Sequence, residues 1–275
     1  MPIIGIDYSK CNKCQICIDA CYVGTRCFRL DEKQDKILFG DKENLCYLCG
    51  LCISKCPADA IIHEDMGGTL PYDDAQDPTS SISYESLHKF LISKRSRREF
   101  VKRKIPRDFM KKVLDSIKYA PAGANIRTLK CTIISDDKLI KKLSDVIMDE
   151  IIVSTGEKYR TYRDEGYKDY RKQGIDRIFF NAPHVLFFHS NNLGDAMNAP
   201  IGITYGMLSA QSLGLGSCWI GLAQGVLNSY KNLKQLVGIQ DILWGVIILG
   251  YPTKQLKSYR TPPRPDLIIK GLEEL

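Results

Sequence analysis

Long hydrophobic runs are missing from this 275-residue sequence. Its longest, such as Leu243 to Leu249, fall well short of the roughly 18 residues a membrane-crossing helix requires, so no segment is expected to cross a bilayer. The start, Met1-Pro2-Ile3-Ile4-Gly5, has no basic stretch followed by an apolar core and a small-residue cleavage site, which points to the cytoplasm. Histidine is scarce, at four residues. His63, His88, His184 and His189 show neither metal spacing nor a partnering Ser or Cys motif, so each is expected to be structural. A dinucleotide fingerprint is absent as well, because Trp219 stands where the third glycine after Gly214-x-Gly216 would be. Beyond residue 56, cysteine is reduced to Cys131 and Cys218 out of eleven in the chain. That asymmetry excludes a disulfide framework spread over the fold, and Cys218, between Ser217 and Trp219, reads as a small buried filler.

What is present is a globular composition, 44% hydrophobic and 26% charged, with room for one or two cores. The net charge of +7 is uneven. Residues 1–65 hold 8 Lys+Arg against 10 Asp+Glu, leaving 31 against 22 for the rest. A basic body attracts phosphate-bearing ligands, nucleic acid or acidic partners, and charge alone does not choose among them.

The dense cysteine region repeats itself. Cys11, Cys14, Cys17 and Cys21 follow C-x2-C-x2-C-x3-C, and Cys46, Cys49, Cys52 and Cys56 follow it again, with Pro57 after the last where the first run has Tyr22. This is the bacterial two-cluster spacing: three thiolates hold one cubane, and the fourth reaches the neighbouring one. One 4Fe-4S cluster is expected on Cys11, Cys14, Cys17 and Cys56, and a second on Cys46, Cys49, Cys52 and Cys21. Structural zinc would need only paired C-x2-C knuckles and leaves the third and fourth cysteines of each run without a reason. Cys27 lies outside both runs and is expected to be merely buried. Cages of this kind carry electrons and do little bond chemistry, so another part of the chain must consume those electrons.

A ferredoxin-like domain is therefore read over 1–65, a Gly- and Pro-containing linker over 66–82 and a second domain over 83–275. After a short strand Ala58–Ile62, helices are expected at Tyr84–Ile92, Pro106–Tyr119, Leu139–Val153 and Asn198–Leu213. Strands are expected at Lys130–Ser135, Val185–His189 and Leu243–Leu249, so the fold class is α+β. The polar stretch Glu157–Gln173, with four tyrosines, reads as an exposed helix or a lid.

Seven of the eleven residues from Lys94 to Lys104 are basic. Only Phe100 among them is aromatic, which disfavours a base-stacking surface, and no nucleic-acid partner is expected. Several charge-assisted donors within one turn's reach suit a single compact phosphate better.

At this point the chain resembles the nitroreductase family, whose flavin fold opens with a basic-x-Ser-x-basic-x-Phe element, matched by Lys94, Arg95, Ser96, Arg98 and Phe100. Ala120, Pro121 and Asn125 are similar to the family's A-P-S-x-x-N segment beside the isoalloxazine ring. Ala122, Arg127, Thr128 and Leu129 stand where the family has Ser, Gln, Pro and Trp. Leu213 to Ser217, Trp219, Ile220 and Gly221 resemble its G-L-G-S-x-W-I-G loop, whose backbone amides approach the flavin N5. Gly250-Tyr251-Pro252 resembles its G-Y-P turn. Arg264, before Pro265, resembles its late phosphate-binding arginine, a place Arg260 could also fill. The resemblance spans residues 84–270.

That resemblance implies FMN held by Lys94, Arg95, Ser96, Arg98, Pro121, Ala122, Asn125, Trp219, Ile220, Gly221 and Arg264 in a dimeric α/β sandwich. The chemistry then rests on flavin N5, with no separate catalytic residue named. The expected function is an oxidoreductase that receives electrons from an external low-potential donor, a ferredoxin or similar. Two 4Fe-4S clusters would pass them on, and a hydride would reduce a nitroaromatic, a quinone or an activated alkene. Alternatives are reductive dehalogenation or flavin-consuming chemistry within the same architecture, and an electron relay or redox sensor without small-molecule turnover.

Overall fold

The computed structural model describes residues 3–64, 68–69, 81–153, 165–253 and 261–271. These form two compact units: Met1–Ser81 with Pro121–Arg127, and Ile82–Ala120 with Thr128–Leu275. Seven residues expected in the 83–275 domain thus group with the first unit. The expected linker lies almost wholly outside the described residues.

The first unit contains β1 (Ile3–Ile6), α1 (Ile16–Asp19), a 3-10 turn (Gly24–Arg26), β2 (Phe28–Asp31), β3 (Lys36–Phe39), α2 (Leu51–Ser54) and β4 (Ile61–His63). Strand β1 pairs antiparallel with β4, and β2 with β3. The expected strand Ala58–Ile62 starts later than its apolar residues suggest. Asp59 turns left-handed with φ 47, and the Ala60 amide donates to Cys56 Sγ at 3.3 Å, so pairing begins only at Ile61.

The cysteine repeat is also a backbone repeat. Positive φ at Lys13, Gln15 and Gly24 recurs thirty-five residues later at Leu48, Gly50 and Asp59, and α1 recurs at the same interval as α2. Amide hydrogen bonds repeat too: Cys21 to Ile18 and Cys56 to Ile53, both 3.2 Å. A left-handed turn between the first and second cysteines of each run, and another between the second and third, bends the chain around whatever the sulfurs surround. The first three thiols of the first run, Cys11, Cys14 and Cys17, accordingly line one cavity.

The second unit contains α3 (Tyr84–Ser93), α4 (Arg107–Lys118), a 3-10 turn (Gly123–Asn125, in the excursion to the first unit), β5 (Lys130–Ile134), α5 (Asp137–Val153), α6 (Glu165–Lys172), β6 (His184–Ser190), α7 (Asp195–Ser212), β7 (Gly216–Trp219), α8 (Gly221–Ser229), α9 (Lys231–Gln235) and β8 (Ile242–Gly250). The strands pair antiparallel in the order β5-β6-β8-β7. Both faces of this sheet are covered, which is why β6 and β8 read as continuous apolar runs. Val185, Phe187, Val246 and Ile248 pack with Leu143, Ile147 and Val226 from α5 and α8. Their alternates Leu186, Phe188, Ile247 and Leu249 pack with Val113 of α4 and Ala199 and Ile203 of α7. Helix α4 meets α7 at Gly206, where an added Cβ would lie 2.8 Å from Ile117.

Of the Tyr-rich stretch 157–173, residues 157–164 lie outside the described residues. Arg171 on α6 makes a two-pronged ion pair with Asp149 on α5, at 2.8 and 3.0 Å. No helix among the described residues is long and apolar enough to cross a membrane.

The histidines of the sheet are structural, as expected. His189 lies between Thr132 Oγ1 at 2.9 Å and the Asp241 carboxylate at 2.7 Å. His184 accepts the Ile105 amide on Nε2 at 2.9 Å, so Nδ1 carries the proton shared with Ser135 Oγ at 2.6 Å. Burial, helped by nearby Lys104, holds the His184 imidazole down at about 4. Its folded value lies below the unfolded one, near 6.5, so the unfolded chain binds the extra proton first as pH falls. Stability of this unit should therefore drop between pH 6.5 and 4, by about 2 kcal/mol at pH 4.5 from this residue alone. Both tryptophans, Trp219 and Trp244, lie in this unit, so urea unfolding followed by their fluorescence reports it. The pH-dependent loss should shrink in His184→Gln, and an unchanged loss would contradict the assignment.

Candidate functional site

None of the eleven cysteines is in a disulfide. Cys11, Cys14, Cys17 and Cys56 line one cavity with Ile6, Ile37, Ala58, Ala60 and Ile61. The first three belong to one run and the last to the other, which is the crossed set expected from the spacing. Burial, then the neighbouring Cys11 and Cys14, pushes Cys17 up to about 11. Burial followed by Cys49, Cys46 and Cys21 pushes Cys52 up to about 12, so these four form the second group. Thiolates crowded in this way repel each other, and a bound cationic centre is what would let them ionise together. Among the described residues no three His, Cys, Asp or Glu side chains converge on a point that one metal ion could occupy. The thiols ring a space instead, and amides already point at two sulfurs: Leu48 at Cys46 Sγ (3.4 Å) and Ala60 at Cys56 Sγ (3.3 Å). Cys27 is buried, at 1% exposure.

In the second unit the basic run leaves α3 as an extended segment that pairs with the sheet at two points. Ser96 bridges Ser217 in parallel and Phe100 bridges Pro252 in antiparallel fashion. The Arg97 amide donates to the Ser217 carbonyl at 3.0 Å, and Val101 to Tyr251 at 2.9 Å. Gly216 permits this approach, because a Cβ there would lie 2.8 Å from Arg97 Cγ. Lys94 Nζ donates to the Arg95 carbonyl at 3.0 Å and to that of Ser217 at 3.4 Å. Burial, reinforced by Arg97 and Arg95, lowers the Lys94 ammonium below its ordinary value. Burial and Arg95 lower Arg97 likewise. Arg95 Nη1 donates to the Lys94 carbonyl at 2.6 Å, and the Arg98 guanidinium lies 5.7 Å from the Phe180 ring centre. Next to them the Ser217 hydroxyl is buried with no hydrogen-bond partner. Crowded cations beside an orphaned hydroxyl make a place for an anion with acceptor oxygens.

The segment expected as a G-L-G-S-x-W-I-G loop is in large part strand β7. Its backbone is committed to β8, and the Ile220 amide donates to the Val246 carbonyl at 2.7 Å, so those amides serve the sheet first. Gly221 then opens α8. The Trp219 indole is held by Gln224 Oε1 at 3.0 Å, and Gln224 by the Leu243 carbonyl at 3.2 Å.

Pro121, Ala122 and Asn125 group with the first unit. Asn125 is hydrogen-bonded within that unit. Its Nδ2 donates to the Leu48 carbonyl at 2.5 Å, and its Oδ1 accepts from Arg127 at 2.7 and 3.0 Å. Arg264 is exposed and donates to the Pro263 carbonyl at 3.2 Å. Arg260 lies outside the described residues. Arg97 and Ser217 were not among the residues expected to hold the flavin. The glycine opposite a basic run was the available signal for both, since only a missing side chain lets two backbones approach so closely.

An antiparallel sheet sandwiched by helices, with a cationic segment laid along its β7 end, defines the second unit. The nitroreductase family model matches residues 91–251, and the chain belongs to that family. A protein of Archaeoglobus fulgidus, provisionally named NADH dehydrogenase/NAD(P)H nitroreductase, is 24% identical over 189 residues, 67% of this chain and 97% of its own. The structure is similar to an FMN-bound nitroreductase from Desulfitobacterium hafniense (TM-score 0.53, 15% identity, 65% of this chain and 93% of that one). It is also similar to an FMN-dependent nitroreductase from Clostridium difficile (TM-score 0.52, 20% identity, 66% and 97%).

Proposed function

We propose that this chain is an FMN-dependent oxidoreductase that takes electrons one at a time through two 4Fe-4S clusters and reduces a small organic acceptor. Nitroaromatics, quinones and activated alkenes are the acceptor classes. The observation that carries the reading is the cavity shared by Cys11, Cys14, Cys17 and Cys56, a crossed ligand set in a chain whose remainder is a nitroreductase domain. Relatives named for bound FMN support the flavin.

When bound, FMN supplies hydride chemistry at N5 and the clusters supply single-electron transfer. Cys11, Cys14, Cys17 and Cys56 would hold one cluster and Cys21, Cys46, Cys49 and Cys52 the other. Lys94, Arg95, Ser96 and Arg98 would hold the phosphate as fixed charge-assisted donors, and the buried Ser217 hydroxyl would gain a partner. Trp219, fixed by Gln224, would limit the space for the ring. Exposed Met197, Ile201 and Tyr205 run along α7 at every fourth residue, and Tyr84, Leu87 and Leu91 are exposed on α3. Apolar stripes of this size are suited to burial in a homodimer.

The electron donor is an external low-potential carrier of the ferredoxin kind. Some relatives carry NAD(P)H in their names, so anaerobic stopped-flow mixing with reduced ferredoxin, NADH and NADPH in turn is the test. Ferredoxin should bleach iron-sulfur absorbance before flavin absorbance. Fast flavin bleaching by a pyridine nucleotide alone would reject the donor.

A further inference from the structure

The two halves of the first unit repeat in backbone, yet they differ at one buried place. Past the matched Gly24 and Asp59 the interval shortens to thirty-three, and Cys27 and Ala60 take the same place in the two hairpins. Each is 1% exposed just before a strand, and its carbonyl accepts the amide that closes the hairpin, Gly40 to Cys27 at 2.9 Å and Asp7 to Ala60 at 2.8 Å. One half thus has a thiol where the other has a methyl group. The thiol faces a carboxylate, with Cys27 Sγ 3.9 Å from Asp41 Oδ1.

That carboxylate is held against the second thiol set. Asp41 Oδ1 accepts the Leu45 amide at 2.6 Å, and both its oxygens accept the Cys46 amide at 3.3 Å. In the first half the matching amide, that of Cys11, goes instead to the backbone carbonyl of Asp7 at 3.0 Å. The Asp7 carboxylate turns away to cap Ser9, with Lys10 4.0 Å from it. So one thiol set has a half-buried negative charge on its first ligand's amide, and the other has a neutral carbonyl.

We propose that Asp41, moderated by Cys27, is a positioning pair that makes the cluster at Cys21, Cys46, Cys49 and Cys52 the lower-potential one of the two. This rests on the two-cluster reading. A cluster gaining one electron gains one negative charge, and a carboxylate nearby opposes that gain. Asp41 also draws the Cys46 amide to itself, and hydrogen bonds near the sulfurs are among the determinants of potential. The Cys27 S–H donates weakly to Asp41 and offsets part of its field, so the two side chains should act with opposite sign. No bond is made or broken.

The test is a mediated anaerobic titration of the holoprotein with dithionite, followed by electron paramagnetic resonance, which resolves two potentials. Asp41→Asn keeps an acceptor for the amides and removes the charge, so it should raise the lower potential and leave the higher one, and a rise in the higher one alone would overturn the proposal. Cys27→Ala restores the residue type of the other half and should lower the lower potential further. Should Asp41→Asn fail to assemble both clusters, Asp41→Ser, a smaller neutral acceptor, takes its place, because Cys27 also hydrogen-bonds Cys21 and Cys27→Ala alone would not isolate Asp41. Potentials that stay put, move together, or shift with reversed sign would overturn the proposal. An iron content well below about eight per chain in the unsubstituted protein would remove the two-cluster reading itself, and the proposal with it.

Discussion

Cys56→Ala is expected to cost the anaerobically isolated protein roughly half of its ~8 iron atoms, and to cost it the same cluster that Cys11→Ala removes. Cys56 is forty-five residues from Cys11 in sequence but lines the same cavity as Cys11, Cys14 and Cys17. Cys21, the fourth member of the first run, is instead felt by Cys46 and Cys52. Single variants should therefore fall into two spectroscopic classes. Cys11 and Cys56 should share one surviving paramagnetic signal, and Cys21 and Cys46 should share the other. If Cys56→Ala matched Cys46→Ala instead, each run would be holding its own cluster and the crossed assignment would be wrong.

The second large effect is expected from Arg95→Ala combined with Arg98→Ala. This variant should lose FMN on gel filtration and rebind it roughly 10²–10³-fold more weakly, from two charge-assisted bonds at about 1.5–3 kcal/mol each, partly offset by water. Iron should remain, because no cluster residue is touched and the two groups of side chains lie in separate units. Flavin titration by fluorescence quenching, alongside an iron assay, measures both. Full flavin occupancy in the double variant would move the phosphate site elsewhere, with Arg97 beside Gly216 the next basic residue to replace.

Much of this molecule was legible without coordinates. Spacing within each cysteine run is a local matter, since residues three apart on a tightly turning backbone lie close together. The left-handed φ at Lys13, Gln15, Leu48 and Gly50 is the structural form of that spacing. Helices α3, α4, α5 and α7 and strands β5, β6 and β8 lie within a few residues of where their periodicity set them. The basic segment opposite a glycine was visible as charge, although its attachment to Ser217 was not.

By itself, then, the sequence determined what depends on neighbours along the chain: two thiol runs, the order of the family motifs, and the apolar strands of a sheet covered on both faces. Only the tertiary structure decided that Gly216–Trp219 is a strand and not a loop, that Asn125 turns to Leu48, and that Asp41 and Cys27 stand beside one thiol set and not the other. Contacts such as Ser96 with Ser217, or Asn125 with Leu48, join residues far apart in sequence. Which backbone amides a strand leaves free, and which carboxylate meets which sulfur, depends on register and close packing, where one residue of shift changes every partner.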